Sequence, residues 1–459
     1  MTQALSSIFW GLLLLSLLVF VHEGGHFLAA RAFKIRVTEF FLGMPSRAKL
    51  SHKSTKYGTE YGITPILLGG YTRVCGMEGD LSDSLAATLD CVSRHGRVKV
   101  SELAEEIGIE ENQAYENLAV LADWASVEPY YNPELGEKPN DSNYPQAFQT
   151  VSRDENLLTC YDVGHDPEGL FCHPCGEPLD YGCGLDTFFQ QEMSHTYQGK
   201  GFWPRFCVLF CGPLVNFICA VAIIVVVMSG IGVEVPMNTS RIGTVVAGSI
   251  AEKAGVQPGD TIVSINGDPT NNFTDIVAAV EKGFGDHQDL NLDVKRGTDL
   301  VNITIECPAD SNAKTVIGVG AASEYRRLSV GDAFGSAFTY AGNVCKFAAR
   351  LLMPTHTMEV LQNSSSVVGI SVMAGNAASK GAADIGLFCA MISMSLAFMN
   401  LLPIPPLDGG KILIEIIQGI MGKPVPGSVQ RGISYLGMAF FAFIFIYALR
   451  MDIVRFIIK

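Results

Sequence analysis

Charge is scarce in this chain of 459 residues: Asp, Glu, Lys and Arg make up 17% of it, against about 25% in soluble globular domains. Together with 48% hydrophobic residues and a mean hydropathy of +0.27, that shortage argues against an ordinary soluble protein and places part of the chain in lipid. Basic residues are also missing where a cleaved secretory signal needs them, because Met1 to Val21 holds no Lys or Arg. Cleavage near Ala29-Ala30 would, moreover, discard the most unusual residues of the chain. The twelve cysteines lack disulfide spacing. Cys207, Cys211, Cys219 and Cys389 lie in apolar segments, while Cys160, Cys172, Cys175 and Cys183 share one polar region. Reduced thiols or metal ligands fit that distribution better than a secreted scaffold.

The formal net charge of −14 is unevenly spread. Between Asp80 and Lys200 there are 23 acidic and 6 basic residues, a balance of −17, and the rest of the chain is slightly basic. Nucleic-acid binding by the acidic stretch is disfavoured, since affinity for polyanions comes largely from Lys and Arg neutralising phosphates.

Four apolar stretches approach the length of about 20 residues that crosses a bilayer: Ile8 to Phe33, Phe206 to Ile231, Ile385 to Leu402 and Ile433 to Tyr447. Arg31, Lys34, Arg36, Arg47, Lys49, Lys53, Lys56 and Arg73 follow the first. The positive-inside rule therefore puts the N-terminus outside and this segment in the cytoplasm. Four crossings then leave Val233 to about Arg350 outside. Arg450, Arg455 and Lys459, at a C-terminus expected outside, conflict with the rule.

The expected fold is a mainly α polytopic membrane protein with about four transmembrane helices, a membrane-associated β element and two polar modules. Residues 1–79 hold the first helix and the β element. There, "EYGITPILLGGYTRV" reads as two short β runs around Gly69-Gly70, either a re-entrant hairpin or an ordinary cytoplasmic one. Residues 80–200 form an acidic cytoplasmic insertion. Its first part has a winged-helix look, with Ser101 as N-cap, Gly108 at the turn and a second helix from Glu111 to Trp124. That second helix has no Lys or Arg, so a protein-docking module or a merely structural insert fits better than a DNA reader. Farther on, Cys172-x-x-Cys175 resembles half a zinc ribbon. Cys160 and His165 would complete a structural Zn²⁺ site, with His173 and Cys183 as competing ligands and spare thiols as the plain alternative.

Residues 201–232 are the second span, and residues 233–320 carry an α+β unit. Its AGV, PGD and SING segments resemble those of a PDZ domain, which holds extended peptide ends by adding them to a sheet edge. Residues 321–459 comprise an amphipathic linker and the last two spans.

The chemistry is concentrated in "HEGGH". His22 and His26 lie one above the other on one helical face, close enough for two imidazoles to hold one Zn²⁺. Glu23 points elsewhere in the same turn, where it can take a proton from the attacking water instead of ligating. Two histidines and a carboxylate inside a spanning helix are costly unless they serve a cavity or a site. A candidate for a third ligand lies in "MNLLPIPPLDGG". Pro403, Pro405 and Pro406 break the helix at membrane depth, where irregular backbone is tolerated only inside protein or beside a cavity. Asp408 after them is either a ligand or an N-cap for a helix starting at Gly409.

HEGGH, the Asn400 to Gly410 segment and a PDZ-like unit between them resemble the site-2 protease family of intramembrane zinc metalloproteases. The likeness is to the bacterial type that cleaves membrane-anchored anti-sigma factors. "FFLGMP" (Phe40 to Pro45) and "CGPLVN" (Cys211 to Asn216) match family segments too. The resemblance implies that His22, His26 and Asp408 ligate a catalytic Zn²⁺ and that Glu23 is the general base. It also implies that Asn400 and the Tyr61 to Val74 element, including Gly69, Gly70 and Tyr71, hold the substrate backbone. Substrates would be single-span membrane proteins or remnant signal peptides in a bacterial inner membrane. A protein partner could dock on the insertion. A zinc-free family relative acting as a scaffold, and a membrane-bound transcription factor, are the rival classes. The three candidate ligands speak against the first and the insertion's charge against the second.

Overall fold

The computed structural model describes residues 2–77, 79, 81–138, 145–165, 172–308, 316–353, 355, 365–423 and 425–454. The chain divides into two compact units, one of residues 1–224 with 334–459 and the other of residues 225–333.

In the first unit a single helix, Thr2–Ala32, carries HEGGH. It closes with Ile35 N–H donating to the Ala30 carbonyl at 2.9 Å while Lys34 takes the left-handed conformation at φ 57°, a Schellman-type end. Among the described residues, four helices are long and apolar enough to cross a membrane: Ser6–Ala32, Phe202–Ile231, Ala382–Asn400 and Gly427–Ile453. Bulky apolar side chains such as Leu17, Leu28, Ile218, Leu436, Phe443 and Ile446 stand exposed on them, as a lipid-facing surface requires. The last of the four runs beyond both ends expected from its apolar core, because backbone hydrogen bonding carries a helix past its greasiest turns.

Helix Val367–Lys380 was not expected from the pattern. It crosses the first helix so closely that a Cβ at Gly11 would overlap Ser371 and one at Gly375 would overlap Ser7. Small-residue packing of this kind leaves no greasy run to read.

After the first helix come β1 (Val37–Leu42), β2 (Leu50–Lys53), β3 (Glu60–Ile63) and β4 (Gly70–Val74), in the sheet order β2-β3-β1-β4. The expected hairpin is therefore corrected. β3 and β4 do not pair with each other. Both pair with β1, with Phe40 opposite Tyr61 in the parallel ladder and opposite Thr72 in the antiparallel one. Alternation identifies strands but not partners. Here the arms of the 64–69 loop are held by Leu42 and Gly43, through Thr64 N–H to the Leu42 carbonyl and Gly43 N–H to the Gly69 carbonyl. β4 is left as an edge strand.

The insertion folds in the order helix Leu85–His95, strand Arg97–Lys99, helices Val100–Ile107 and Glu111–Asp123, then strands Val127–Tyr130 and Ala147–Thr150. Leu89, Leu103, Leu118, Leu121, Trp124 and Phe148 form its core. Ser101 is not the N-cap. The helix begins at Val100, with Lys99 as N-cap, and the buried Val100 side chain and its N–H bond to the Gln146 carbonyl fix the start two residues earlier. Gly108 does end that helix, at φ 77°.

The second unit has a four-stranded sheet around Thr261–Ile265 and Leu290–Arg296, covered by helix Phe273–Gly285. Ile262, Ile276, Phe284, Leu292 and Ile303 fill the core. Asn272 and Asp275 cap the helix reciprocally, which satisfies two otherwise orphaned N–H groups.

Candidate metal centre

His22 and His26 are buried on one face of the first helix. Their Nε2 atoms lie 3.2 Å apart. Asp408, the first residue of helix Asp408–Met421, brings Oδ2 to 3.0 Å from His22 Nε2 and 3.4 Å from His26 Nε2. Zinc bonds of 2.0–2.1 Å in a tetrahedral site place ligand atoms about 3.3 Å apart. The three atoms therefore fit around one ion.

Three further observations test that fit. His26 Nδ1 lies 2.7 Å from the Val208 carbonyl, so that nitrogen carries the proton and Nε2 keeps its lone pair for a metal. Asp408 Oδ2 and His22 Nδ1 have no hydrogen bond of acceptable geometry among the described residues, as expected where a carboxylate oxygen faces a cation rather than a donor. Gly212, from the CGPLVN segment, supplies the space, since a Cβ there would overlap both imidazoles. The donor set of two imidazoles and a carboxylate suits zinc.

Glu23 stands beside this triangle, with a carboxylate oxygen within 4.8 Å of the two imidazole nitrogens. β4 runs alongside, and the Thr72 hydroxyl donates to the Glu23 carbonyl at 3.1 Å. Gly69 sits at φ 151° at the entry to β4. Gly70 packs so near Phe20 that a Cβ would come within 3.2 Å of its Cα, and the Tyr71 ring stacks on Phe41 with centroids 5.3 Å apart. Asn400 is half-buried at the C-terminal end of helix Ala382–Asn400.

The helix that offers Asp408 is held from two turns farther along. Glu415 is buried, accepts a hydrogen bond from the Tyr197 hydroxyl at 3.2 Å and pairs with Arg205 at 3.2 Å. Burial raises the Glu415 pKa against the opposing pull of Arg205. Neither Tyr197 nor Glu415 stood out in the sequence, where only the helical spacing from Asp408 to Glu415 hints at a shared face.

The second group of expected ligands does not converge. His165 Nδ1 lies 2.8 Å from the Asp162 carbonyl and Nε2 3.3 Å from that of Thr55. Cys175 Sγ donates to Glu128 at 2.8 Å and accepts from Gln149 at 3.0 Å. Among the described residues no three ligand atoms of Cys160, His165, Cys172 and Cys175 come together, nor do His173 or Cys183 join them.

The structure shows instead a buried ionic cluster that sequence reading missed. Arg36 donates twice to Asp162, at 2.7 and 2.8 Å, and also to Glu192 at 2.9 Å. Arg153 adds bonds of 2.7 and 2.9 Å to Glu192. His195 Nδ1 lies 2.9 Å from Asp162. Burial alone would raise the Asp162 and Glu192 pKa values, but the paired guanidiniums outweigh it and hold both carboxylates well below their usual range. The insertion is thereby ion-locked to the segment just after the HEGGH helix. Arg31, in the last turn of that helix, also donates to the Tyr161 carbonyl at 2.6 Å.

A histidine pair and a distant aspartate closing on one point, in a chain whose described residues include four membrane-length helices, define a candidate metal centre of a membrane protein. The sequence model of Peptidase family M50 matches residues 10–444, and the chain belongs to that family as a zinc metalloprotease. It is similar to the Regulator of sigma-W protease RasP of Bacillus subtilis (strain 168), 28% identical over 443 residues covering 95% of this chain and 96% of the relative. The Zinc metalloprotease RasP of Bacillus licheniformis is 25% identical over 450 residues, 97% and 98% of the two chains. That of Geobacillus kaustophilus is 24% identical over 467 residues, 99% and 100% of the two.

Proposed function

We propose that this zinc metalloprotease hydrolyses peptide bonds within or near the transmembrane segments of single-span membrane proteins, such as anti-sigma factors, or of remnant signal peptides. The observation that carries the proposal is the convergence of Asp408 on His22 and His26, which lie in a helix long and apolar enough to cross a bilayer. These three residues would hold the zinc. When bound, it supplies Lewis-acid polarisation of a carbonyl and lowers the pKa of a water ligand toward about 7.

Glu23 then acts as general base toward the attacking water and returns the proton to the leaving amine. A substrate helix hides its carbonyls in its own hydrogen bonds, so the target must unwind first. β4, an edge strand beside Glu23, offers backbone partners to the unwound segment through Gly69, Gly70 and Tyr71. Asn400 is the proposed side-chain contact to that backbone.

The element order of residues 80–200 supports a winged-helix-like module on the cytoplasmic side, and that of residues 233–320 supports an extracytoplasmic PDZ-type filter. The positive-inside pattern supplies the orientation. Deleting Ser240 to Pro308 should let uncut, full-length substrates be processed; unchanged selectivity would argue against a filter. The direct test co-expresses a single-span substrate with the wild type and with Glu23→Gln. Cleavage by the wild type alone supports the proposal, and equal processing by both removes it.

A further inference from the structure

Among the described residues, one other set of ligand-type side chains converges, well away in sequence from HEGGH. Cys91 and His95 are four residues apart on helix Leu85–His95. Glu106 comes from the neighbouring helix Val100–Ile107. Gly96, at φ 72°, ends the first helix and lets the chain return so that the two helices pack. The three donor atoms all lie within 4.8 Å of one another, and His95 Nε2 is 2.8 Å from Glu106 Oε2.

We propose that Cys91, His95 and Glu106 form a second metal site, for a divalent transition ion of the zinc type, that clips together two helices of the insertion. The donors are one thiolate, one imidazole and one carboxylate. That mixture favours zinc-like ions over magnesium or calcium, which take all-oxygen sites. The Cys91 side chain is buried, whereas His95 and Glu106 are partly exposed, so solvent reaches the site from one side and can fill a fourth position. Arg94 orients the carboxylate. Its Nη2 donates to Glu106 Oε1 at 2.9 Å and its Nε donates to Asp90 at 2.9 Å, which leaves Glu106 Oε2 facing His95. Orientation of a ligand by such a neighbour is usual around metals. A thiol binds such an ion as thiolate, so metal binding at Cys91 releases the thiol proton to solvent.

Sulfur separates this site from the membrane one, whose ligands are two imidazoles and a carboxylate. Co²⁺ is titrated into the metal-stripped, full-length chain in detergent while the thiolate-to-cobalt charge-transfer absorption and proton release are followed. The expected result is a saturable thiolate band with one proton released per cobalt bound there. Cys91→Ser and His95→Gln should each abolish the band, and Cys172→Ser should leave it intact. Because Cys91 is buried and misfolding of its variant would also remove the band, His95→Gln at a partly exposed position decides. No thiolate band, or one that survives His95→Gln, overturns the proposal. Loss of cobalt binding at the HEGGH site alone would leave this band in place, so the two readings fail separately.

Discussion

Two groups of metal-ligand residues invite comparison, the pair in HEGGH with Asp408 and the cysteine-rich stretch from Cys160 to Cys175. Both have a short-range pair and a more distant contribution. Only the first closes. In HEGGH the helix itself places the two imidazoles on one face, and Gly212 clears room for them. In the second group, each ligand atom with a described partner is already engaged: His165 with two carbonyls and Cys175 with Glu128 and Gln149. Cys91 and His95 sharpen the lesson, because they too are four apart on one helix and converge with a third ligand. Helical spacing fixes geometry; a cysteine pair in a loop does not.

The largest effect should come from removing a proposed ligand of the closed group. His26→Ala should abolish cleavage of a single-span substrate and release the sulfur-free metal, read by metal analysis of the purified chain. Glu23→Gln should keep that metal while lowering the cleavage rate about 10²- to 10⁴-fold, the usual range for a general base. A rate within twofold of wild type would break the assignment.

Next in size is the ionic lock. Arg36→Met leaves Asp162 and Glu192 buried and short of a partner, and should destabilise the insertion by about 3–5 kcal/mol, read by thermal unfolding of Trp124 fluorescence in a Trp10→Phe, Trp203→Phe background. The same reporter gives a pH test. Asp162 and Glu192 titrate in the folded chain below their unfolded values of about 4. Protons therefore bind the unfolded chain first. The stabilisation is complete above about pH 5 and is lost as the pH falls from about 4 through the folded values. A loss already under way between pH 7 and pH 5 would point to a different group. The smallest effect should belong to the open group, where Cys172→Ser should change stability by less than about 0.5 kcal/mol and leave the metal content unaltered. A lost equivalent of zinc would restore the ribbon reading.

Much of this was legible beforehand. The four spans show as apolar runs, and HEGGH needs only helical periodicity to become a paired site. Asp408 was legible because three prolines interrupt a membrane segment just before it. The rest depends on tertiary packing. β3 and β4 look like a hairpin until β1 takes both as partners, which no alternation pattern reveals. Arg36 reads as one cation among eight after the first helix, and Asp162 and Glu192 as two acids among 23. Their pairing exists only because the insertion folds back onto the base of that helix. Ser101 has the right chemistry for an N-cap, yet the buried Val100 begins the helix and leaves Lys99 at the cap.

Zinc K-edge X-ray absorption on the purified chain carrying His95→Gln, which removes the second cluster, tests the centre most directly. One zinc should appear, bound by nitrogen and oxygen atoms at about 2.0–2.2 Å with an imidazole signature and no sulfur at about 2.3 Å. A sulfur shell, or a chain that holds no zinc, would contradict the convergence of His22, His26 and Asp408 on one ion.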